Sequence, residues 1–250
     1  MVFALEFPPI GEIVDWKPFF FGLNKTGLLF LMSTLFTLIL FVAAGRKHAL
    51  VPKGIQNVAE AGVDFVNENV ILQTMGPEGL NWSLYLTTLF FFLLFANMFE
   101  IIPFIQFPAT ARMAMPITLA IVTWVLYNYV GIKNQGFGGY FKSALFPPGV
   151  PKALYILVTP IELLSTFIVR PFSLAVRIFA NELAGHLLLV TFSVLSAALF
   201  AKNFLVVVMP VSFVMLVLMT LFETLVAFLQ AFIFTILTAV YIGGAMHPEH

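Results

Sequence analysis

Apolar residues run through this chain in blocks too long for the core of a soluble domain. The first block, Gly27 to Ala44, closes on the basic cluster Arg46, Lys47, His48 and Lys53, and its length approaches the roughly 20 residues a helix needs to cross a hydrocarbon layer of about 30 Å. From Pro52 to Leu72 the pattern changes. Ile55, Val58, Ala59, Val63, Val66 and Val70 recur at helical spacing while Glu60, Asp64, Asn67 and Glu68 take the other positions, which predicts an amphipathic helix lying at the membrane surface. A second span runs from Trp82 to Ile102 and ends at Pro103, and a third from Ala114 to Ile132. Residues 133–151 contain GFGGY and FPPGVP, strong breakers that predict a linker. Residues 152–200 and 204–245 then form two apolar stretches each far longer than one perpendicular crossing. A straight helix from Pro210 to Ile242 alone would measure roughly 50 Å, so it must tilt steeply or break. Pro160 and Pro171 are candidate kinks in the first of the pair. Lys202 and Asn203 supply the only polar turn between the two, which predicts an antiparallel hairpin.

Composition fixes the class. Of 250 residues 61% are hydrophobic and 10% charged, against roughly 45–50% and 25% in soluble domains; with no ten-residue alternating strands of the barrel type, the expected fold is an all-α integral membrane protein with about five transmembrane helices and one interfacial helix. Formal net charge is zero, so no overall field selects nucleic acid or anionic lipid. Cysteine is absent, which excludes disulfides, thiolate catalysis and thiolate metal sites. Residues 1–26 carry acids and prolines where a signal peptide would have a basic stretch and an apolar run, and are read as mature sequence. Lys and Arg favour the loops holding Arg46, Lys47, Lys53, Lys133, Lys142 and Lys152 over those holding Lys17, Lys25, Arg112 and Lys202. That bias predicts an outside N-terminus and a cytoplasmic C-terminus.

Charges inside the spans are few, and each costs roughly 2.5–3.5 kcal/mol at mid-membrane for Arg or Asp. Glu100 ends the second span; Glu162, Arg170, Arg177, Glu182 and His186 sit on the penultimate helix; Glu223 and Gln230 sit on the last. Successive helical residues rotate by about 100°, so Arg177 and Asn181 share a face, near which Arg170 and Ser173 also fall. Glu182 and His186 share another, with His186 roughly 180° from Arg177. In the predicted topology His186 lies about 13 Å outward of Arg177, and Glu223 about 10 Å outward of Gln230. Glu100, His186 and Glu223 therefore gather in the outer half, Arg177 and Gln230 meet near the middle, and Glu162 and Arg170 belong to the inner half. Plainer roles stand beside this: a snorkelling Arg177, a helix-internal Glu182–His186 pair, a solvated Glu100, a structural Glu162 and Arg170, and a Gln230 that only bridges helices.

The run RPFSLAVRIFANELAGHLLL, Arg170 to Leu189, followed by ETLVAFLQAFIFTILTAVYI, Glu223 to Ile242, closely resembles the paired signature of subunit a of F-type ATP synthases. NMFEIIPF, Asn97 to Phe104, is similar to the family's segment in the second span. The overall pattern resembles bacterial, actinobacterial members. The resemblance implies a plasma-membrane stator subunit with no catalytic site of its own and no cofactor. Its implied partners are the rotor c-ring, the peripheral-stalk subunit b and the rest of the complex. It implies that Arg177 is the stator arginine facing the ring carboxylate. It also implies that Asn181, His186, Glu223, Gln230 and Glu100 occupy positions associated with proton access, with Glu182 beside them and Glu162, Arg170 and Ser173 as an inner candidate set. Many bacterial members carry a carboxylate where His186 stands and a histidine where Glu223 stands, so the two types are exchanged here.

Two other classes compete with this one. An autonomous secondary transporter or channel would carry a midplane site between repeated halves, and no internal repeat is visible. An intramembrane metalloprotein using Glu182, His186 and Glu223 lacks HExxH and has a single intramembrane histidine.

Overall fold

The computed structural model describes residues 24–46, 52–102, 105, 107–146, 151, 154–199 and 207–246. The N-terminal segment before Asn24, Lys47 and His48 of the first basic cluster, Pro103 and the Lys202–Asn203 turn lie outside the described residues.

Helix α1 is Lys25–Gly45 and opens on Asn24, whose side chain accepts from the Gly27 N–H at 2.9 Å. Helix α2, Ile55–Val66, continues through a π-helical turn at Asn67–Ile71 and a last turn at Leu72–Thr74. A 3₁₀ turn at Pro77–Trp82 leads into α3, Ser83–Met98. A second 3₁₀ turn, Ala109–Ala111, precedes α4, Ala114–Gln135. Then come α5, Phe137–Leu145, and α6, Tyr155–Leu164. A π turn at Ser165–Val169 joins α6 to α7, Arg170–Leu199, and α8, Met209–Met246, follows. Among the described residues five helical stretches are long and apolar enough to cross a membrane, including the 45 residues from Tyr155 to Leu199. The chain is an all-α integral membrane protein.

Helix α8 is the hub, packing on α7, α3 and α4, while α1 lies on the far side of α3. Its buried stripe explains why. Ala227, Ala231, Thr235, Ala239 and Gly243 are buried and recur every fourth residue, a small-residue seam that lets helix backbones approach closely in a membrane. Buried hydroxyls satisfy themselves within their own helix, Thr235 donating to the Ala231 carbonyl and Thr238 to that of Phe234, both at 2.8 Å. No water is then needed at those depths. Aromatic packing closes the rest: the Phe65 ring lies 5.7 Å from both Phe90 and Phe232.

Two contacts set the register of α7 on α8. The Ser196 and Ser212 hydroxyls are hydrogen-bonded at 2.9 Å, both buried. Eleven residues further along each helix, a Cβ at Gly185 would overlap the Glu223 carboxylate. The two helices therefore run antiparallel, and the same register sets Arg177 and Ile178 level with Ala231 and Gln230.

The structure departs from the sequence expectations in three places. Within the expected linker, Phe137–Leu145 is helical, because Gly136 (φ 75°) takes the sharp turn and releases the chain into a new helix. The amphipathic helix does not keep its whole apolar stripe for lipid: Val66, Val70 and Ile71 are fully buried, and α2 packs on α1 and α3. Its ends keep apolar exposure, Ile55 and Val58 in the first turn and Leu72 in the last.

The third departure concerns Pro171. In the π turn the Arg170 N–H reaches back five residues to the Ser165 carbonyl, so the next donor, due at the Thr166 carbonyl, would be residue 171. Proline has no N–H. The Tyr127 hydroxyl on α4 donates to the Thr166 carbonyl instead, at 2.7 Å. Tyr127→Phe removes that donor and leaves a buried carbonyl unpaired, at a cost of about 1–3 kcal/mol. A lower thermal unfolding midpoint in detergent is the expected result, and an unchanged midpoint would show that the π turn holds without Tyr127.

Candidate functional site

Helix α7 sorts its polar residues by face. Leu174, Ala175, Ile178, Glu182, Gly185 and His186 form the buried face against α8 and the 109–111 turn. Arg177 and Asn181 are exposed on the opposite side, on a stripe continued by Ala184, Leu188 and Thr191. Arg177 stands at the midpoint of the 45-residue helical stretch, far from either end. Among the described residues no carboxylate pairs with it. The guanidinium is bordered by the apolar Ala180, Ala184 and Leu188, surroundings in which an exposed charge is costly against lipid.

On the buried face, three elements converge. Glu100 follows the end of α3 and is 4% exposed, Glu182 and His186 are 1% and 4% exposed, and Glu223 on α8 is 3% exposed. His186 Nδ1 lies 3.4 Å from Glu100 Oε1, so the histidine pairs across helices and not with Glu182 on its own. Glu100 and Glu182 are both buried in this cluster. Glu223 reaches the same place because Gly185 has no side chain: the carboxylate occupies the space a Cβ would fill. Glu100 and Glu182 each feel the field of Glu223.

A cavity of about 260 Å³ opens from this cluster. It begins at Glu100 and His186 and follows the α7–α8 groove past Ser193 and Thr220, away from Arg177. That volume has room for several water molecules. Glu100 Oε1 and Glu182 Oε1 have no hydrogen-bond partner among the described residues, so water in the cavity and around the pair would satisfy them. Carboxyl and imidazole groups lining a cavity of this size are of the type that exchange protons with water.

Gln230 lies at the level of Arg177, but no hydrogen bond joins them; Gln230 is 5% exposed with its Oε1 unpartnered among the described residues, because its face of α8 turns into the bundle while Arg177 turns out of it. Glu162, Arg170 and Ser173 have separate contacts. The Ser173 hydroxyl bonds back to the Arg170 carbonyl at 3.1 Å, and no ion pair joins half-buried Glu162 to Arg170. Arg170 instead covers the Tyr241 ring at 5.6 Å, and Tyr241 packs 5.7 Å from Tyr127. On α5 the Tyr140 hydroxyl donates to Asn128 Oδ1 at 2.9 Å. Burial raises the Tyr140 hydroxyl above its ordinary range although the Arg170 charge opposes the shift, which keeps it a neutral donor.

Three residues escaped the sequence reading of the outer site. Asn97 is fully buried, accepts from the Thr110 hydroxyl at 2.8 Å and leaves its Nδ2 unpartnered. A buried-amide signal was available, since it lies three residues before Glu100 and so near the same helical face. Lys25 sends its Nζ to the Ile105 carbonyl at 2.7 Å and over the Phe107 ring, which packs against His186. Gly185 could be found only from the contact it permits. Among the described residues no three His, Asp or Glu side chains have the arrangement to hold a metal ion.

Comparison with known proteins agrees with this architecture. The sequence model of the family described as ATP synthase A chain matches residues 27–243. ATP synthase subunit a of Frankia alni is 46% identical over 91% of this chain and 79% of its own length. The subunit a of Rhodococcus erythropolis is 43% identical over 98% of this chain and 89% of its own length. That of Parafrankia is 44% identical, over 93% and 79%. With most of its length matched by one family model, and with relatives of this identity aligned almost end to end, the chain belongs to the ATP synthase subunit a family.

Proposed function

We propose that this chain is the stationary partner of a rotating ring in the membrane sector of an ATP synthase, and that it carries protons through two half-channels separated by Arg177. The observation that supports this most is the exposed, unpaired Arg177 at the centre of an apolar helix face. Its natural counterion is a carboxylate on a second membrane protein. A fixed cation at a dry interface favours the ionised form of a passing carboxylate. Protonated, the same carboxyl can turn to lipid; ionised, it cannot. Each ring acid thus releases its proton as it nears Arg177 and must be reprotonated before it moves on. Because guanidinium does not deprotonate, Arg177 also prevents a direct leak between the two water paths.

The outer path runs through the cavity at Glu100 and His186, across the buried Glu100–Glu182 pair and Glu223, toward Gln230 and Asn181 at the level of Arg177. Asn97, with a free amide N–H, orders water beside Glu100. Glu162, Arg170 and Ser173 stand on the inner side of Arg177, where protons leave. Across 100 mV each proton releases about 2.3 kcal/mol, and the chain turns that release into one-way rotation without a catalytic site. The ring and peripheral-stalk subunit b are its partners, the N-terminus outside and the C-terminus cytoplasmic.

The test uses the cysteine-free background. Ala180→Cys, exposed within one turn of Arg177, is expected to cross-link to a cysteine placed beside the ring carboxylate in the assembled complex. Ala175→Cys, also within one turn of Arg177 but on the buried face, is expected not to. Equal cross-linking of both, or of neither while the complex is intact, would remove this face as the rotor contact.

A further inference from the structure

A groove of about 580 Å³ lies between the end of α1 and the start of α2, far from the cluster at Glu100. Its walls on the α1 side are Ile39, Val42 and Ala43, and on the α2 side Ile55. Arg46 and Lys53 line its rim, both exposed, and among the described residues no acidic side chain lines it. Neither cation has an ion-pair partner among the described residues. Arg46 caps the C-terminus of α1, so it stands where a membrane-crossing helix leaves the hydrocarbon layer. Gly54, with φ 63° and ψ −126°, bends the chain sharply between Lys53 and α2, a conformation only glycine adopts without strain. The opposite side of the same junction is acidic: Glu60 and Asp64 line a second groove with Phe41 and Ala44. Charge is thus segregated across the junction, cations on one side and carboxylates on the other.

Apolar walls that run down the span, beneath two cations at its rim, match one chemistry. We propose that this groove binds an anionic phospholipid, its phosphate held by Arg46 and Lys53 and one acyl chain laid along Ile39, Val42 and Ala43. The lipid fills the wedge between α1 and the surface helix and sets one negative charge between two cations that have no ion-pair partner among the described residues. A zwitterionic lipid fits the walls but brings its own cation to the rim.

The experiment measures lipid retained by the full-length chain in a maltoside detergent, by native mass spectrometry. The chain is exchanged against micelles carrying phosphatidylglycerol or phosphatidylcholine of the same acyl composition. Each cation near an anionic lipid contributes about fivefold in affinity. Phosphatidylglycerol is therefore expected to be retained about 25-fold better than phosphatidylcholine, and Arg46→Gln with Lys53→Gln to abolish the preference. Val42→Trp fills the apolar wall and keeps both charges; it is expected to lose the bound phosphatidylglycerol as well. Equal retention of the two lipids, or an unchanged preference in the double variant, would overturn the proposal. Displacement of the lipid by inorganic phosphate, with Val42→Trp without effect, would overturn it in favour of a plain anion site. Retention by the chain but not by the assembled complex would overturn it in favour of a protein partner.

Discussion

Arg177→Ala is expected to abolish gradient-driven ATP synthesis while leaving the complex assembled. Truncating one member of a desolvated charge pair costs about 2–5 kcal/mol, which is at least about a thirtyfold loss. The loss should reach background, because the alanine removes both the attraction that ionises the ring acid and the barrier that keeps the two water paths apart. Passive proton permeability of membranes stripped of the soluble head is the discriminating measurement: it should persist while synthesis vanishes. Arg177→Lys keeps the charge but not the planar fork of donors, and is expected to recover little. Because Arg177 is exposed and has no ion-pair partner among the described residues of its own chain, neither substitution breaks an internal salt bridge. Synthesis above a few per cent of the unmodified complex, in fully assembled Arg177→Ala, would remove the arginine from the mechanism.

Glu223→Gln and His186→Ala are expected to slow proton flux by about 100-fold, within the range for losing a positioned proton donor and acceptor. The first keeps the size of a side chain seated against Gly185 and removes only its ability to exchange a proton. The second empties the space between Phe107 and Glu100, where the imidazole now packs. Flux is read as the rate of vesicle acidification through the membrane sector alone. If both variants conduct at the unmodified rate, protons do not cross the buried cluster. If His186→Ala alone fails and does not assemble, Glu223→Gln still decides, since its packing is preserved.

Helix existence was legible in the chain because long unbroken apolar runs, without the alternating strands of a barrel, leave the helix as the way to bond each backbone group in a bilayer. The charges were legible for the same reason: a buried Glu or Arg is costly enough that Glu100, Arg177, Glu182, His186 and Glu223 stand out against the apolar background. The faces of α7 could be computed as well, since the periodicity of one helix is fixed by its geometry. What failed at this level was local. Phe137–Leu145 is helical within a stretch full of breakers, since glycine at 136 starts a helix after the turn it makes. Pro171 met a π turn and a tyrosine from another helix, and no pattern within its own segment encodes that donor.

Sequence alone thus determined the five apolar stretches, the inventory of buried charge and the opposition of Arg177 to His186 around one helix. Tertiary structure decided which partners those groups meet. The pairing of Glu100 with His186, the seat of Glu223 against Gly185 and the separation of Gln230 from Arg177 all depend on the register and rotation of α7 against α8. Periodicity fixes angles within one helix and leaves the phase between two helices open. That phase is set by the small-residue seam of α8 and the serine pair near its N-terminal end, contacts between residues distant in the chain.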